Sequence, residues 1–373
     1  MIDAKDLEIL LFIQDKPLAT LSQIAQHIGM SVSNISARLD RLKNDQKLFN
    51  GVRIDLENDA LELELFDFFF HVKDTKSLNL LEKKFGHYHP YLSYRARCNG
   101  YKNGLYLQFQ APKEGLNYIE ELASILVDKG VLENYQFIKR TPNFNPVRVG
   151  SSLHSWNPEV KNWDFDWIRW QNNIKDSSTK ITPNVEPVKS ILSELTELDV
   201  KLLAELTLEA RSKNVDIIKK IGLPLEPGTA QKVSRRIRFL KEKAIKNYRI
   251  NLQWSKFFLY QPIIVRGYNG NGNANKIYNY INSNDEEDIR FPFRCNYFLA
   301  DNGFFWYVRA PPAHLSDFTN FIWEICPDFE LYTLDYKSSE VYGLWDQTFD
   351  AEKKCWKISY DFMIDSVLKK MFK

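Results

Sequence analysis

Apolar residues recur at helical spacing through the first 45 or so positions. Leu7, Ile9, Leu10, Phe12 and Ile13 predict a helix from about residue 3, ending near Pro17. Leu21, Ile24, Ala25 and Ile28 predict a second, shorter helix over 20–28, stopped by Gly29, which tolerates the left-handed backbone of a tight turn. Ser31 then offers a side-chain cap, and Val32, Ile35, Leu39 and Leu42 form the apolar stripe of a third helix over 31–43. Its other face carries Ser33, Asn34, Ser36, Ala37, Arg38 and Arg41, short polar groups first and cations later. Helix, helix, short turn, helix is the helix-turn-helix order, and a face of this kind suits the DNA major groove. Over 47–55, an Asn50-Gly51 pair between short apolar runs predicts a basic hairpin behind the third helix, a wing.

Beyond residue 60 the period changes. Leu61, Leu63 and Leu65 alternate with glutamates as a half-buried strand does, running into Phe68, Phe69 and Phe70. A helix over 75–85, strands over 91–98 and 105–110 joined at Asn103-Gly104, a helix over 115–128 and a strand over 131–140 complete a strand-helix-strand-strand-helix-strand order. That order is the ferredoxin-like split βαβ arrangement. Prolines and Trp156, Trp163, Trp167 and Trp170 fill 141–187, a segment too aromatic for a solvated tether.

The pattern then restarts at an offset of roughly 200 residues, which means two whole copies rather than a solenoid. Leu198 to Leu203 echo the first helix, Val215 to Gly222 the second, and Val233 to Lys241 the third, with Arg236 matching Arg38. Arg97-Cys98-Asn99 before Asn103-Gly104 is matched to Arg294-Cys295-Asn296 before Asn302-Gly303, and Trp156 and Trp163 to Trp345 and Trp356. The expected class is α+β: two copies of a winged helix-turn-helix followed by a ferredoxin-like (βαββαβ) domain, arranged as a pseudo-dimer. The units run 1–58, 59–141, a packed connector 142–190, then 191–252, 253–338 and a C-terminal extension 339–373.

Fifty lysines and arginines against 48 acids leave a net charge of +2, so any nucleic-acid surface must come from local clustering. One cluster exists. Residues 232–249 carry Lys232, Arg235, Arg236, Arg238, Lys241, Lys243, Lys246 and Arg249 against Glu242 alone. Each such cation that meets a phosphate releases counterions. The expected DNA-contacting set is Ser31, Ser33, Asn34, Ser36, Arg38, Arg41, Lys43 and Arg53 in the first copy. In the second it is Thr229, Gln231, Lys232, Arg235, Arg236, Arg238 and Lys241. Arg38 and Arg236 stand late in their helices, where the backbone or an internal carboxylate is as near as a base edge. Leu223-Pro224-Leu225-Glu226-Pro227-Gly228 lengthens the second copy's turn.

Other chemistry is sparse. Cys98, Cys295, Cys326 and Cys355 form no CxxC pair, no apolar run reaches the ~20 residues of a bilayer span, and the start is too polar for a signal peptide. A cytoplasmic setting is expected. His87 and His89 read as a surface loop without a third ligand, so no metal and no cofactor are expected. The aromatics from Phe291 to Tyr307 read as strand core. Without a phosphate loop, GxSxG or nucleophile–histidine pattern, the chain is expected not to be an enzyme.

Asp3, Asp6, Ile9-Leu10, Ile24-Ala25, Ile28-Gly29, Ser31, Ile35, Arg38, Leu39 and Leu42, ahead of the ferredoxin-like pattern, resemble the Lrp/AsnC (feast/famine) family of transcription regulators. The resemblance covers about residues 1–140 and, more loosely, 195–338. It implies a sequence-specific, double-stranded DNA-binding regulator in which ferredoxin-like sheets pair and two recognition helices face one site. Two copies in one chain imply a monomeric pseudo-dimer, or a homodimer of them. A small-molecule effector is the other partner implied. The family's Gly-x-x-Asp-like loop is here Gly100-Tyr101-Lys102-Asn103, with asparagine in place of the acid. Siroheme decarboxylases resemble the chain in layout, but their histidine-rich stretch and Gly-Phe and Asn-Ala run are absent around 94–107 and 294–307.

Overall fold

The computed structural model describes residues 2–268, 272–283 and 290–373. Helices α1 (Ala4–Asp15), α2 (Leu21–Ile28) and α3 (Val32–Asp40) form the first three-helix head. Asp3 and Asp6 close a capping box at the start of α1, and Thr20 and Gln23 do the same for α2. Gly29, at φ 72°, ends α2, and the Ser31 hydroxyl accepts from the Asn34 amide to open α3. Ile35 and Leu42 are buried as the stripe requires, but Val32 is 45% exposed, because it lies in the first turn, beyond the reach of α1.

The expected wing hairpin does not form. Residues 49–56 make one strand, β1 (Phe49–Leu56), which pairs antiparallel with β9 (Ile245–Leu252) of the second copy, from Phe49 opposite Leu252 to Leu56 opposite Ile245. Asn50-Gly51 sits at a register shift in that ribbon rather than at a turn. A lone alternating strand needs a second edge, and here its counterpart nearly 200 residues later supplies it.

The first ferredoxin-like unit is β2 (Glu64–His71), α4 (Thr75–Leu80) with a wider turn to a short α5 (Gly86–Tyr88), β3 (Leu92–Gly100), β4 (Gly104–Ala111), α6 (Gly115–Asp128) and β5 (Asn134–Ile138). The connector holds β6 (Val147–Val149), the small hairpin β7 (Trp156–Asn157) and β8 (Asn162–Trp163), and α7 (Trp167–Asp176). The second head is α8 (Glu197–Leu208), α9 (Asn214–Lys220) and α10 (Thr229–Lys243). After β9 come β10 (Ile263–Tyr268), α11 (Asn273–Asn282), β11 (Cys295–Ala300), β12 (Gly303–Val308), α12 (Leu315–Ile325) and β13 (Phe329–Leu334). The chain ends with β14 (Glu340–Val341), the hairpin β15 (Phe349–Asp350) and β16 (Cys355–Trp356), and α13 (Ser366–Met371).

The two units share one ten-stranded sheet, ordered β5-β2-β4-β3-β13-β10-β12-β11-β6, with β14 beside β3. A bridge between Arg140 and Ala300 ties its β5 side to β11, so the sheet bends round on itself. Outward residues such as Phe68 and Trp306 pack under helices, whereas inward ones meet each other. Phe69 stacks on Tyr332 at 4.2 Å and Phe298 on Phe305 at 4.7 Å, with Tyr106 against Phe305 at 5.9 Å.

The two copies are interleaved. One core joins α1–α3 and the connector tryptophans to the second ferredoxin-like unit; the other joins the first unit to the second head and the C-terminal extension. Trp163 Nε1 donates to the Phe257 carbonyl and Trp356 Nε1 to the Leu61 carbonyl, both at 2.7 Å, so each extension clasps the opposite unit. These bonds make Trp163 and Trp356 counterparts, but the counterpart of Trp156 is Phe349, which pairs with Trp356 as Trp156 pairs with Trp163; Trp345 is not. The Arg-Cys-Asn match also fails in register. Cys98 opposes Gly104 and faces inward, whereas Cys295 opposes Val308 and faces the helices. Gly104 and Gly303 do correspond: at each, an added Cβ would lie 2.0 Å from a neighbouring strand's carbonyl oxygen, of Phe70 and of Gly267.

Candidate nucleic-acid interface and interior arginine row

On the first head Ser31, Ser33, Asn34, Ser36 and Lys43 are exposed, as a readout face requires. Arg38 and Arg41 turn the other way. Arg38 Nη1 reaches Asp6 Oδ1 at 2.6 Å and Asp3 Oδ2 at 2.7 Å, and Arg41 Nη2 reaches Asp6 Oδ2 at 2.5 Å. The Asp6 side chain has no exposed surface, so this ion pair locks α3 onto the start of α1. The hydrogen bonds it donates to Asp3 and Asp6 hold the Arg38 guanidinium above its usual pKa. Arg236 does the same in the second head, with Nη2 2.5 Å from the fully buried Asp199 and Nε 2.7 Å from it, and it stacks on Phe239. Three of the expected DNA-contacting cations therefore hold the heads together.

Arg53 also departs from expectation. It is half-buried on the ribbon, directly opposite Arg249, and burial followed by the Arg249 charge pushes its pKa down. With no hairpin, there is no tip to carry it to a phosphate.

The second head shows a different surface. Gln231, Lys232, Arg235, Arg238 and Lys241 on α10 are exposed, and Thr229 is half-buried. Among the described residues none of those four cations makes an ion pair. Gly222 repeats the left-handed φ of Gly29, both 72°, but the chain then runs through 223–228 before α10, which starts at Gly228 (φ 90°) with no side-chain cap. Arg211 Nη2 donates to the Ala19 carbonyl at 3.0 Å and to that of Pro17, joining the heads directly.

A second basic feature lies inside the molecule. Phe298 and Phe305, Asn296 and Tyr307, then Arg294 and Arg309 form successive inward-facing pairs up the β11–β12 ladder; the Arg309 amide donates to the Arg294 carbonyl at 2.9 Å. On the flanking strand Arg148 opposes Asn296. Arg249 of the ribbon acts electrostatically on both Arg148 and Arg294, and is paired with Asp55 at 2.8 Å. Arg140 lies over the Phe298 ring and pairs with the buried Asp67 at 2.7 Å. Burial, then Arg249 and Arg309, pull the Arg294 pKa down to about 10. Like charges placed directly across a ladder repel, so this row is unfavourable by itself.

Elsewhere the expected surface loop at His87 and His89 is half correct. His89 is 1% exposed, packs 4.8 Å from Phe109, and burial pushes its pKa down to about 3. Its reach into the core follows from the short α5, which turns the ring under β4. Among the described residues no three His, Cys, Asp or Glu side chains gather to hold a metal. At the loop that departs from the family's Gly-x-x-Asp-like pattern, Gly100 lies so close to β13 that an added Cβ would stand 2.4 Å from the Leu331 carbonyl oxygen, and the Tyr101 amide donates to that oxygen at 3.0 Å.

Residues 2–47 match the winged helix-turn-helix DNA-binding family. Among solved structures, siroheme decarboxylase NirDL in complex with an iron-uroporphyrin III analogue is 11% identical and superposes with a TM-score of 0.50, covering 99% of this chain and 98% of its own. AsnC of E. coli is 12% identical (TM-score 0.30) and covers 38% of this chain and 95% of its own. The transcriptional regulator NMB0573 of Neisseria meningitidis, in complex with L-Met, is 18% identical (TM-score 0.32) and covers 38% and 92%. No curated protein matches by sequence. The chain has the tandem Lrp/AsnC-like architecture.

One expectation is overturned here. The lack of a phosphate loop, GxSxG or nucleophile–histidine pattern predicts that the chain is not an enzyme, but across nearly its whole length it has the layout of one, siroheme decarboxylase NirDL. Among the described residues no helix is long and apolar enough to cross a membrane. The interior arginines of this tandem protein escape a reading by motif, because Arg140, Arg148, Arg249, Arg294 and Arg309 are scattered and each has an ordinary local context. Only alternation could have found Arg294 and Arg309: continuing the inward period of Phe298 and Phe305 outward along both strands lands on them.

Proposed function

We propose that the protein is a sequence-specific transcription regulator that grips double-stranded DNA with two unequal heads in one chain, in the cytoplasm and as a pseudo-dimer. The observation that carries this reading is the exposed row Lys232, Arg235, Arg238 and Lys241, unpaired among the described residues, on the third helix of a head built like the family-matched one. In this reading α10 supplies most of the charge-driven affinity, while Ser33, Asn34 and Ser36 on the shorter-turned α3 read base edges. Arg38, Arg41 and Arg236 act by holding their helices in place.

A mobility-shift assay on genomic fragments across a salt series tests it. Wild-type chain should bind at low salt, and replacing Arg235 and Arg238 together by alanine should lower the slope of log K against log salt by roughly 2. No binding at low salt, or an unaltered slope, overturns the reading.

A further inference from the structure

We propose that the cluster of Arg148, Arg249, Arg294 and Arg309, at the β6–β11–β12 end of the curled sheet, is a binding site for a small polyanion bearing several carboxylates or phosphates. The site stands apart from the DNA-facing helices, and the inference does not depend on them.

Charge count is the first support. Five arginines (these four and Arg140) converge on this end of the interior, and the carboxylates beside them are Asp55 and Asp67, each already taken by one arginine. Arg148 and Arg294 have no ion pair or side-chain hydrogen bond among the described residues. Among the described residues the one side-chain hydrogen bond at Arg309 is to the Tyr307 hydroxyl, at 2.9 Å from Nε. Arg309 is buried and Arg294 half-buried, and guanidinium groups placed so without a counter-charge are destabilising, a cost that an anion seated among them would relieve.

Orphaned polar atoms on the same face point the same way. Among the described residues Asn296 Oδ1, Arg140 Nε and the Tyr94 hydroxyl, which lies beside Ser339, are buried without a well-formed hydrogen bond. Buried polar atoms of this kind are normally satisfied, so several on one wall mark a place where something else bonds. Arg148 adds access: its side chain is exposed although protein crowds it closely enough for desolvation to lower its pKa. Guanidinium groups fit carboxylate and phosphate oxygens in pairs, and the tyrosine rings alongside suit a ligand with a flat or apolar body.

Calorimetric titration of the full chain with citrate, pyrophosphate and uroporphyrin III tests this, each probe also run against Arg294→Gln, Arg148→Gln and Arg235→Ala. Saturable binding of one stoichiometric equivalent of at least one probe is expected, weakened ten-fold or more by Arg294→Gln and by Arg148→Gln and unchanged by Arg235→Ala. Citrate against pyrophosphate separates carboxylate from phosphate ligands, and uroporphyrin III separates a broad planar polycarboxylate from a compact one. Arg148 is on an exposed edge strand, so its variant folds even where Arg294→Gln does not. Silence with all three probes, or binding that survives Arg148→Gln and Arg294→Gln in folded protein, overturns the site. Loss with Arg235→Ala instead would place the anion on the heads and overturn it equally.

Discussion

The two heads share a skeleton and differ in surface. Both are locked by a fully buried aspartate, Asp6 or Asp199, paired with an arginine from the third helix, Arg38 or Arg236. Both leave their second helix through a glycine with φ 72°, Gly29 at the cap of α2 and Gly222 one residue past the cap of α9. Outside that frame they part. The first has a short turn and a polar, acid-diluted face; the second has a long turn through two prolines and a row of free cations. The parts on which folding depends are alike and the solvent-facing parts differ.

The sharpest way to break that comparison is at the shared lock. Asp199→Ala leaves Arg236 only the Glu194 carbonyl, and Asp6→Ala leaves Arg41 without its carboxylate and Arg38 with Asp3 alone. The arginines are partly exposed, so each change should lose about 1–3 kcal/mol in chemical denaturation. A loss at one head without a similar loss at the other would show that the locks are not equivalent.

Acid should separate the two ferredoxin-like units next. His89 in the first is held neutral, with a pKa near 3, whereas an unfolded histidine titrates near 6.5. Between those values the unfolded chain binds the extra proton, so stability falls as pH drops below about 6.5, by up to about 1.4 kcal/mol per unit, until about pH 3. His71, pushed down by burial, adds to the same trend. His89→Leu should flatten the curve of stability against pH, and an unchanged curve would assign the acid sensitivity elsewhere.

Smaller effects concern the interior and the surface. Arg294→Met removes an unpaired interior charge and should raise the stability of the ligand-free protein by roughly 1–3 kcal/mol, measured by thermal melting. On the DNA side, Lys43→Ala should lower the salt slope by no more than about 1, against roughly 2 for the Arg235 and Arg238 pair, with either change altering stability by less than about 0.5 kcal/mol. Equal slopes from both heads would erase the asymmetry.

Much of the fold is legible in the chain because its signals are local. Gly29 and Gly222, the Ser31 cap, and Leu61 to Leu65 alternating into the phenylalanines each report a constraint felt within a few residues. The misreadings share one cause: partners far away in sequence. Asn50-Gly51 looks like a hairpin tip until β9 takes the second edge. The Arg-Cys-Asn likeness is chance, since a strand shifted in register by an odd step presents the opposite face. Arg38 and Arg236 look like phosphate contacts because the acids that claim them, Asp6 and Asp199, lie one helix or more away. At the candidate site, the exposed face of α10 could be read from period and charge, whereas the interior arginines gain meaning only when the sheet curls round on itself.

The ribbon of β1 and β9 also constrains how the protein can come into being. On the ribosome α1–α3 emerge first, yet the strand that follows them waits for Ile245–Leu252, and the wall of their core waits for residues as late as Cys326. With contacts this distant, the first head stays half-dressed through most of synthesis, and folding should be slow and concerted rather than piecewise. A chain cut near residue 190 would therefore yield not two independent half-size proteins but two fragments, each holding the missing edge of the other, which should recover structure on mixing.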